Sequence, residues 1–353
     1  RNFKVSDMSF ASTQGNTSVK ANQGLYLVGG SSNEIRDFEI SNNRLRNFSL
    51  HLGLSGVLRG KVFDNSFLME KGRDSGTGII NFGLPNVGLW VFHNANGSND
   101  ALDIYNNTYD GCANPNFNLT TQSTSHLCGD GLIFGQPKNS LIHDNQIRRF
   151  SFEGINVGNG NDGALGTNQF YNNTIDGATS IGDRNHGGHT GIRADLSGAT
   201  YRNNTITNVA SGVTSYSADF DVNIKNIKVL NNTIRIKNVS GPNGFGGYLS
   251  TDPKFRMSGI SLAGVDHSSI AGNTITVDGI FPSITSLLSA DNSVPTLFQG
   301  VSLVSFPWAG AARKTTALDI FNNQFEFVNN QTVSAQGTAG YYFESVDSAD
   351  IVQ

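Results

Sequence analysis

Apolar and polar positions alternate over short stretches along most of the chain, and a pair of small polar residues interrupts the alternation again and again. The clearest instance is Phe170-Tyr171-Asn172-Asn173-Thr174-Ile175. The same arrangement occurs around Asn42-Asn43, Asp64-Asn65, Asn106-Asn107 and Asp144-Asn145, and then around Asn203-Asn204, Asn231-Asn232, Gly272-Asn273 and Asn322-Asn323. Period-two alternation on either side predicts short half-buried strands. The pair between them contains residues that tolerate the left-handed αL conformation, which bends an extended chain sharply without a long loop. Asn side chains at equivalent places in successive units can also stack into a hydrogen-bonded amide ladder. A unit repeated nine times predicts a repeat architecture.

Most copies have a companion, a Gly followed by alternating apolar residues. These run Gly24-Leu25-Tyr26-Leu27, Gly78-Ile79-Ile80, Gly131-Leu132-Ile133-Phe134 and Gly154-Ile155-Asn156-Val157. They continue from Gly191, Gly212, Gly259, Gly300 and Gly340. One unit therefore reads Gly strand, loop, strand, Asn turn, strand, loop. Three short strands per turn predict an all-β, single-stranded right-handed parallel β-helix of about ten rungs with long loop insertions. Residues 21–353 are expected to form this one domain. Residues 1–20 show no clean rung and are expected as an N-terminal cap over the open sheet edge or as a processed remnant.

This pattern resembles the pectin-lyase-like β-helix superfamily, which includes pectate lyases, polygalacturonases, alginate epimerases and phage tailspikes. The resemblance extends over roughly residues 20 to 345 and implies the fold. It does not choose an activity, because such a superfold carries many.

Charge and composition narrow the partners. A net charge of −4 with 15% charged residues lacks the basic footprint that nucleic acid requires, and no run approaches the about 18 apolar residues that span a bilayer. The expected partner is a polysaccharide. The chain starts at Arg1 with no signal-like apolar segment, so the sequence is expected to be processed or trimmed. Cys112 and Cys128 flank a polar segment. A disulfide closing that loop is expected to contribute about 3 kcal/mol and points to an oxidising address: secreted, extracellular or on a virion surface. Four of the ten Asn-x-Ser/Thr sequons, at Asn106, Asn172, Asn203 and Asn231, arise automatically from Asn-Asn-Thr turns.

The spacing between Asn turns varies from 22 residues (Asn43 to Asn65) to 50 (Asn273 to Asn323). The excess must leave the cylinder as loops, where function tends to sit. Long loops are expected at Phe82–Ala101, with Trp90, at Gly111–Gly129, at Gly241–Met257 and at Phe281–Phe298.

Chemistry is concentrated just ahead of the Gly strands. Asp130 precedes Gly131, and Glu153 precedes Gly154, 23 residues later. That separation is about one rung, so the two carboxylates are expected to stack about 4.8 Å apart in backbone position. A close pair pushes one pKa up, so that one group serves as acid while the other stays ionised. Glycoside hydrolysis uses such a pair, separated by about 5–5.5 Å in retaining enzymes and about 6.5–9.5 Å in inverting ones. His189 and Arg193, near the next Gly strand, are expected substrate contacts, together with Asp162 and the ring of Trp90.

This corner is also similar to the polygalacturonases, which place Asp-Gly, Asp-Asp and Gly-His-Gly segments ahead of the same strand. Asp130-Gly131 matches the first, Glu153 stands at the second, and Gly188-His189 matches part of the third. Asn-Thr, Asp-Asp and the Gly after the His are missing, and Arg235-Ile236-Lys237 lies beyond an Asn turn, on a different strand.

Structural readings stand beside each of these. Asp130 and Asp162 suit turns, His189 suits a solvated Gly-rich loop, and Trp90 suits a loop anchor. The sequence leaves three functions open. The first is a glycoside hydrolase with Asp130 and Glu153 as the acid/base pair and no cofactor. The second is a lyase of uronic-acid polymers, with Ca²⁺ held by Asp130, Glu153 and Asp162 and Arg193 or His189 as base. The third is a tailspike-like or surface adhesin without catalysis, for which a homotrimer is compatible.

Overall fold

The structure, a computed structural model, describes residues 2–12, 23–30, 33–69, 87–92, 99–111, 130–150, 153–158, 167–177, 188–216, 224–237, 257–278, 296–304, 315–328, 337–343, 346 and 349–352. These residues form short parallel strands wound into a right-handed parallel β-helix. One face is a ladder of eleven strands from Phe3–Ser6, through Phe38–Ser41, to Ala349–Val352. Across the Asn turn lies a second ladder of three- to five-residue strands, such as Arg44–Arg46, Ser66–Leu68 and Thr233–Lys237. The Gly strands make the third. The second and third are continuous through Thr205–Tyr216, which pairs with both Thr174–Asp176 and Gly188–Ala194.

The Asn turn divides its work between two positions. The first residue of each pair takes φ between 52° and 65°, at Asn42, Asp64, Asn106, Asp144, Asn172, Asn203, Asn231, Gly272 and Asn322. That position needs only a residue that accepts the left-handed region, which is why Asp and Gly replace Asn there. The second residue is Asn every time, and its side chain enters a ladder. From Asn43 through Asn65, Asn107, Asn145, Asn173, Asn204, Asn232 and Asn273 to Asn323, each Nδ2 donates to the next Oδ1 at 2.9 or 3.0 Å. The same nitrogen also donates to a main-chain carbonyl, as Asn145 does to Ile104 at 3.0 Å. Only an amide carries the donors and the acceptor together.

Inside the coil, apolar rows from the three ladders meet. Ile40, Val62, Ile104, Ile142 and Phe170 stack along the first, Leu45, Phe67, Tyr109, Ile147 and Ile175 along the second, and Leu52, Leu89, Leu132, Ile155 and Ile192 along the third. Outside the first ladder, Phe63, Tyr105, His143 and Tyr171 stack ring on ring, with Arg202 capping Tyr171 at 4.3 Å.

Residues 2–12, within the segment expected as a cap or remnant, contribute strands Phe3–Ser6 and Ser9–Ala11, paired parallel to Phe38–Ser41 and Arg44–Arg46. Other expectations are corrected. Leu50–Ser55 is a Gly-ladder strand although no Gly precedes it. The next rung is supplied by Val87–Val91, which pairs with Leu50–Ser55 and Asp130–Gly135; Gly78-Ile79-Ile80 lies outside the described residues. Trp90 therefore sits on a strand rather than in a loop, because Leu89 and Val91 fill core positions that pair with Leu52 and Leu54. Buried His51 spans the two ends of this insertion, with Nδ1 3.0 Å from the Val87 carbonyl and Nε2 3.3 Å from that of Leu68.

Candidate functional site

The Gly ladder positions the candidate acids. Gly131 and Gly154 mark the corner where successive rungs approach closely. A Cβ on Gly154 would lie 2.6 Å from Ile175 Cγ2, in the core, and 2.8 Å from the Gly191 carbonyl oxygen. The Cβ direction at each Gly thus points inward, and the residue just ahead of it is free to carry a polar group at the corner. Leu132 pairs with Ile155, which sets Asp130 beside Glu153, and Glu153 pairs in turn with Thr190. Asp130 Oδ1 accepts the Glu153 backbone N–H at 3.2 Å.

Both acids are buried, Asp130 at 6% and Glu153 at 1% relative exposure. Arg193 stands on the outward row, between core residues Ile192 and Ala194, and pairs across with Asn156 and Thr214. Its Nη1 lies 3.7 Å from Glu153 Oε1, while its Nε donates to Asp195 Oδ2 at 2.5 Å. Asp195 also accepts from Ser215 Oγ at 3.1 Å. Glu153 Oε2 is buried and has no hydrogen-bond partner among the described residues.

Counting charges decides the protonation. Asp130, Glu153 and Asp195 are three buried carboxyls, and among the described residues the cation that contacts them is Arg193. Among the described residues, full ionisation would leave two negative charges uncompensated in a medium where each costs several kcal/mol. Burial pushes the Asp130 carboxyl up, and the Glu153 N–H that it accepts pulls it back only in part. Burial likewise pushes Glu153 up. Arg193 opposes the shift, and the Asp130 and Asp195 charges add to it. An ion pair would ordinarily hold a carboxylate ionised, but Arg193 commits its short contact to Asp195 and approaches Glu153 more loosely. The pair therefore retains a proton well above the ordinary carboxylate range, and its titration belongs to both groups together.

Of the expected substrate contacts, Trp90 and Arg193 occupy one outward row, running Tyr26, Gly53, Trp90, Ile133, Asn156, Arg193 in register. His189 lies on strand Gly188–Ala194, next to Thr190, which faces Glu153. Its side chain lies outside the described residues, as do Asp162, Cys112 and Cys128. Asp195, Thr190, Ser215 and Tyr26 were not singled out from sequence. The available signal for Asp195 was its place two residues beyond Arg193, where alternation returns a side chain toward the same side.

The Ca²⁺ expectation includes Asp162, outside the described residues; among the described residues no group of three or more His, Cys, Asp or Glu is arranged to hold a metal, and Glu153 Oε1 faces the Arg193 guanidinium. No described helix is long and apolar enough to cross a membrane.

No family model and no curated protein matches the chain. Solved structures do. A DFA-IIIase from Arthrobacter chlorophenolicus A6 in complex with DFA-III aligns at a TM-score of 0.51 and 10% identity, over 94% of this chain and 82% of that one. The periplasmic alginate epimerase AlgG aligns at 0.42 and 11%, over 93% and 69%. PfbA, a surface adhesin of Streptococcus pneumoniae, aligns at 0.43 and 12%, over 86% and 65%. At such identities the likeness is one of fold alone, and the stacked parallel ladders are those of a right-handed parallel β-helix.

Proposed function

We propose that the protein is a glycoside hydrolase acting on a polysaccharide, with Glu153 as general acid and Asp130 as its carboxylate partner. The observation that carries this reading is the buried, proton-retaining acid pair whose Glu153 Oε2 has no partner among the described residues. A protonated carboxyl has one O–H to donate, and the glycosidic oxygen is the acceptor that the chemistry supplies. As the bond from that oxygen to the anomeric carbon breaks, the Glu153 proton passes to the leaving oxygen. Either water adds to the anomeric carbon and gives its proton to ionised Asp130, or Asp130 displaces the leaving oxygen to form a glycosyl ester, and water then displaces the Asp130 carboxylate while giving its proton to Glu153, by then ionised. Arg193, tethered by Asp195, orients Glu153 and offers donors to sugar hydroxyls. His189, Asp162 and Trp90 complete the proposed substrate contacts. A polymeric substrate does not enter cells, so the reading places the activity outside the cytoplasm, in keeping with the disulfide expected between Cys112 and Cys128.

A screen of neutral and uronic-acid polysaccharides tests this. New reducing ends without ultraviolet-absorbing unsaturated sugar are expected, and Glu153→Gln should lower turnover by about two to four orders of magnitude. Unsaturated product would instead assign a lyase, and a Glu153→Gln variant with full activity would remove the acid.

The 1% exposure of Glu153 favours a second reading, an adhesin in which the acid network only braces the coil. Sugar binding with neither product, unaltered by Glu153→Gln, would establish it.

A further inference from the structure

The outward row that holds Arg193 begins, five rungs earlier, with an aromatic cluster in which Tyr26 is exposed and Trp90 and Phe92 are partly buried. Tyr26 is 41% and Val28 57% exposed. Two rungs beyond them, Trp90 and Phe92 stack with centroids 4.3 Å apart and planes 15° apart, and Phe92 meets the Tyr26 ring edge-on at 5.4 Å. The intervening rung contributes only Gly53 and Ser55 to this face. The Tyr26 ring lies in the hollow so formed: a Cβ on Gly53 would collide with its Cδ2 and Cε2 atoms. A small rung between two aromatic ones lets Tyr26 lie across the gap and reach Phe92, giving an apolar surface with a phenol hydroxyl at its margin.

We infer that Tyr26, Trp90 and Phe92 form a sugar-stacking platform, a subsite that holds a ring of the same saccharide chain away from the bond that is cut. The inference rests on the carbohydrate reading above and adds a second binding locus to it. Two features select a sugar over an apolar partner. Aromatic faces bind the C–H face of a sugar while leaving its hydroxyls in water. And the platform's row runs on through Ile133 and Asn156 to Arg193, whose Nη1 lies 3.7 Å from Glu153 Oε1, while Ile133 stands three residues beyond Asp130 on its strand. Three strand residues are about 10 Å and one rung about 4.8 Å, so the platform lies roughly two sugar units from the acids.

The Gly53 hollow supplies an unusual test. Gly53→Ala changes no aromatic residue but displaces the Tyr26 ring. Wild type, Gly53→Ala, Tyr26→Ala and Glu153→Gln are compared on an array of short and long oligosaccharides, neutral and uronic. Wild type and Glu153→Gln should bind the long ones alike, and Gly53→Ala and Tyr26→Ala about tenfold more weakly, with thermal midpoints close to wild type. Platform variants that bind as wild type does, or a wild type that binds no sugar on the array, overturn the inference. Weak binding in the platform variants together with full turnover in Glu153→Gln upholds the platform and removes the acid assignment instead, so the two failures are distinguishable.

Discussion

At the scale of single residues, the two halves of the Asn pair meet different demands, and substitution should separate them. Asn145 donates to Ile104 and Asn173 and accepts from both the backbone N–H and the side chain of Asn107. Asn145→Asp would keep the acceptor, lose both donors, and set a buried carboxylate against the Asn173 Oδ1 and the Ile104 carbonyl. A loss of about 3 kcal/mol or more is expected, read by urea denaturation. Asn172, one rung on and at the first position, only has to accept φ 55°. Asn172→Gly should cost no more than about 1 kcal/mol, mostly through the freer unfolded chain. If the two variants lose the same stability, the ladder contributes nothing specific.

At the scale of elements, the corner glycines decide whether the acids are placed at all. Gly154→Ala forces a methyl against Ile175 and the Gly191 carbonyl, and Gly131→Ala meets Ile147 Cγ2 at 2.6 Å and the Gly154 carbonyl. Backbone atoms yield poorly, so each should lose about 1–3 kcal/mol and much of the turnover. Calorimetry with a reducing-end assay would measure both, and full stability in either variant would contradict the close approach. This scale also explains what the sequence made legible. The Asn turns could be read because αL tolerance and flanking alternation are local properties. Asp130 and Glu153 could be read because each directly precedes a Gly strand. Leu50–Ser55 and Val87–Val91 could not, since their register comes from the rungs above and below rather than from a local Gly, and Gly78-Ile79-Ile80 offered a better local match. Asp195 and Ser215 were hidden for the same reason. Twenty residues part them along the chain, and one rung of winding brings them to 3.1 Å. Tyr26 was invisible as a platform residue because the hollow it occupies belongs to Gly53 of the next rung.

At the scale of the molecule, winding converts a 23-residue separation into contact, and burial then converts contact into retained protons. A carboxyl whose folded pKa is raised stabilises the fold below its unfolded value, and that contribution is lost as pH rises through the folded value. Wild type should therefore lose stability as pH climbs from about 4 toward neutrality, and Glu153→Gln should lose less. The most direct measurement is the infrared stretch of the neutral carboxyl, recorded as a difference between wild type and Glu153→Gln over a pH series. The account predicts a protonated-carboxyl band that persists toward neutral pH in wild type and is weaker in the variant, which keeps only the Asp130 contribution. A band that has already vanished in the ordinary carboxylate range, near pH 4 to 5, would contradict it.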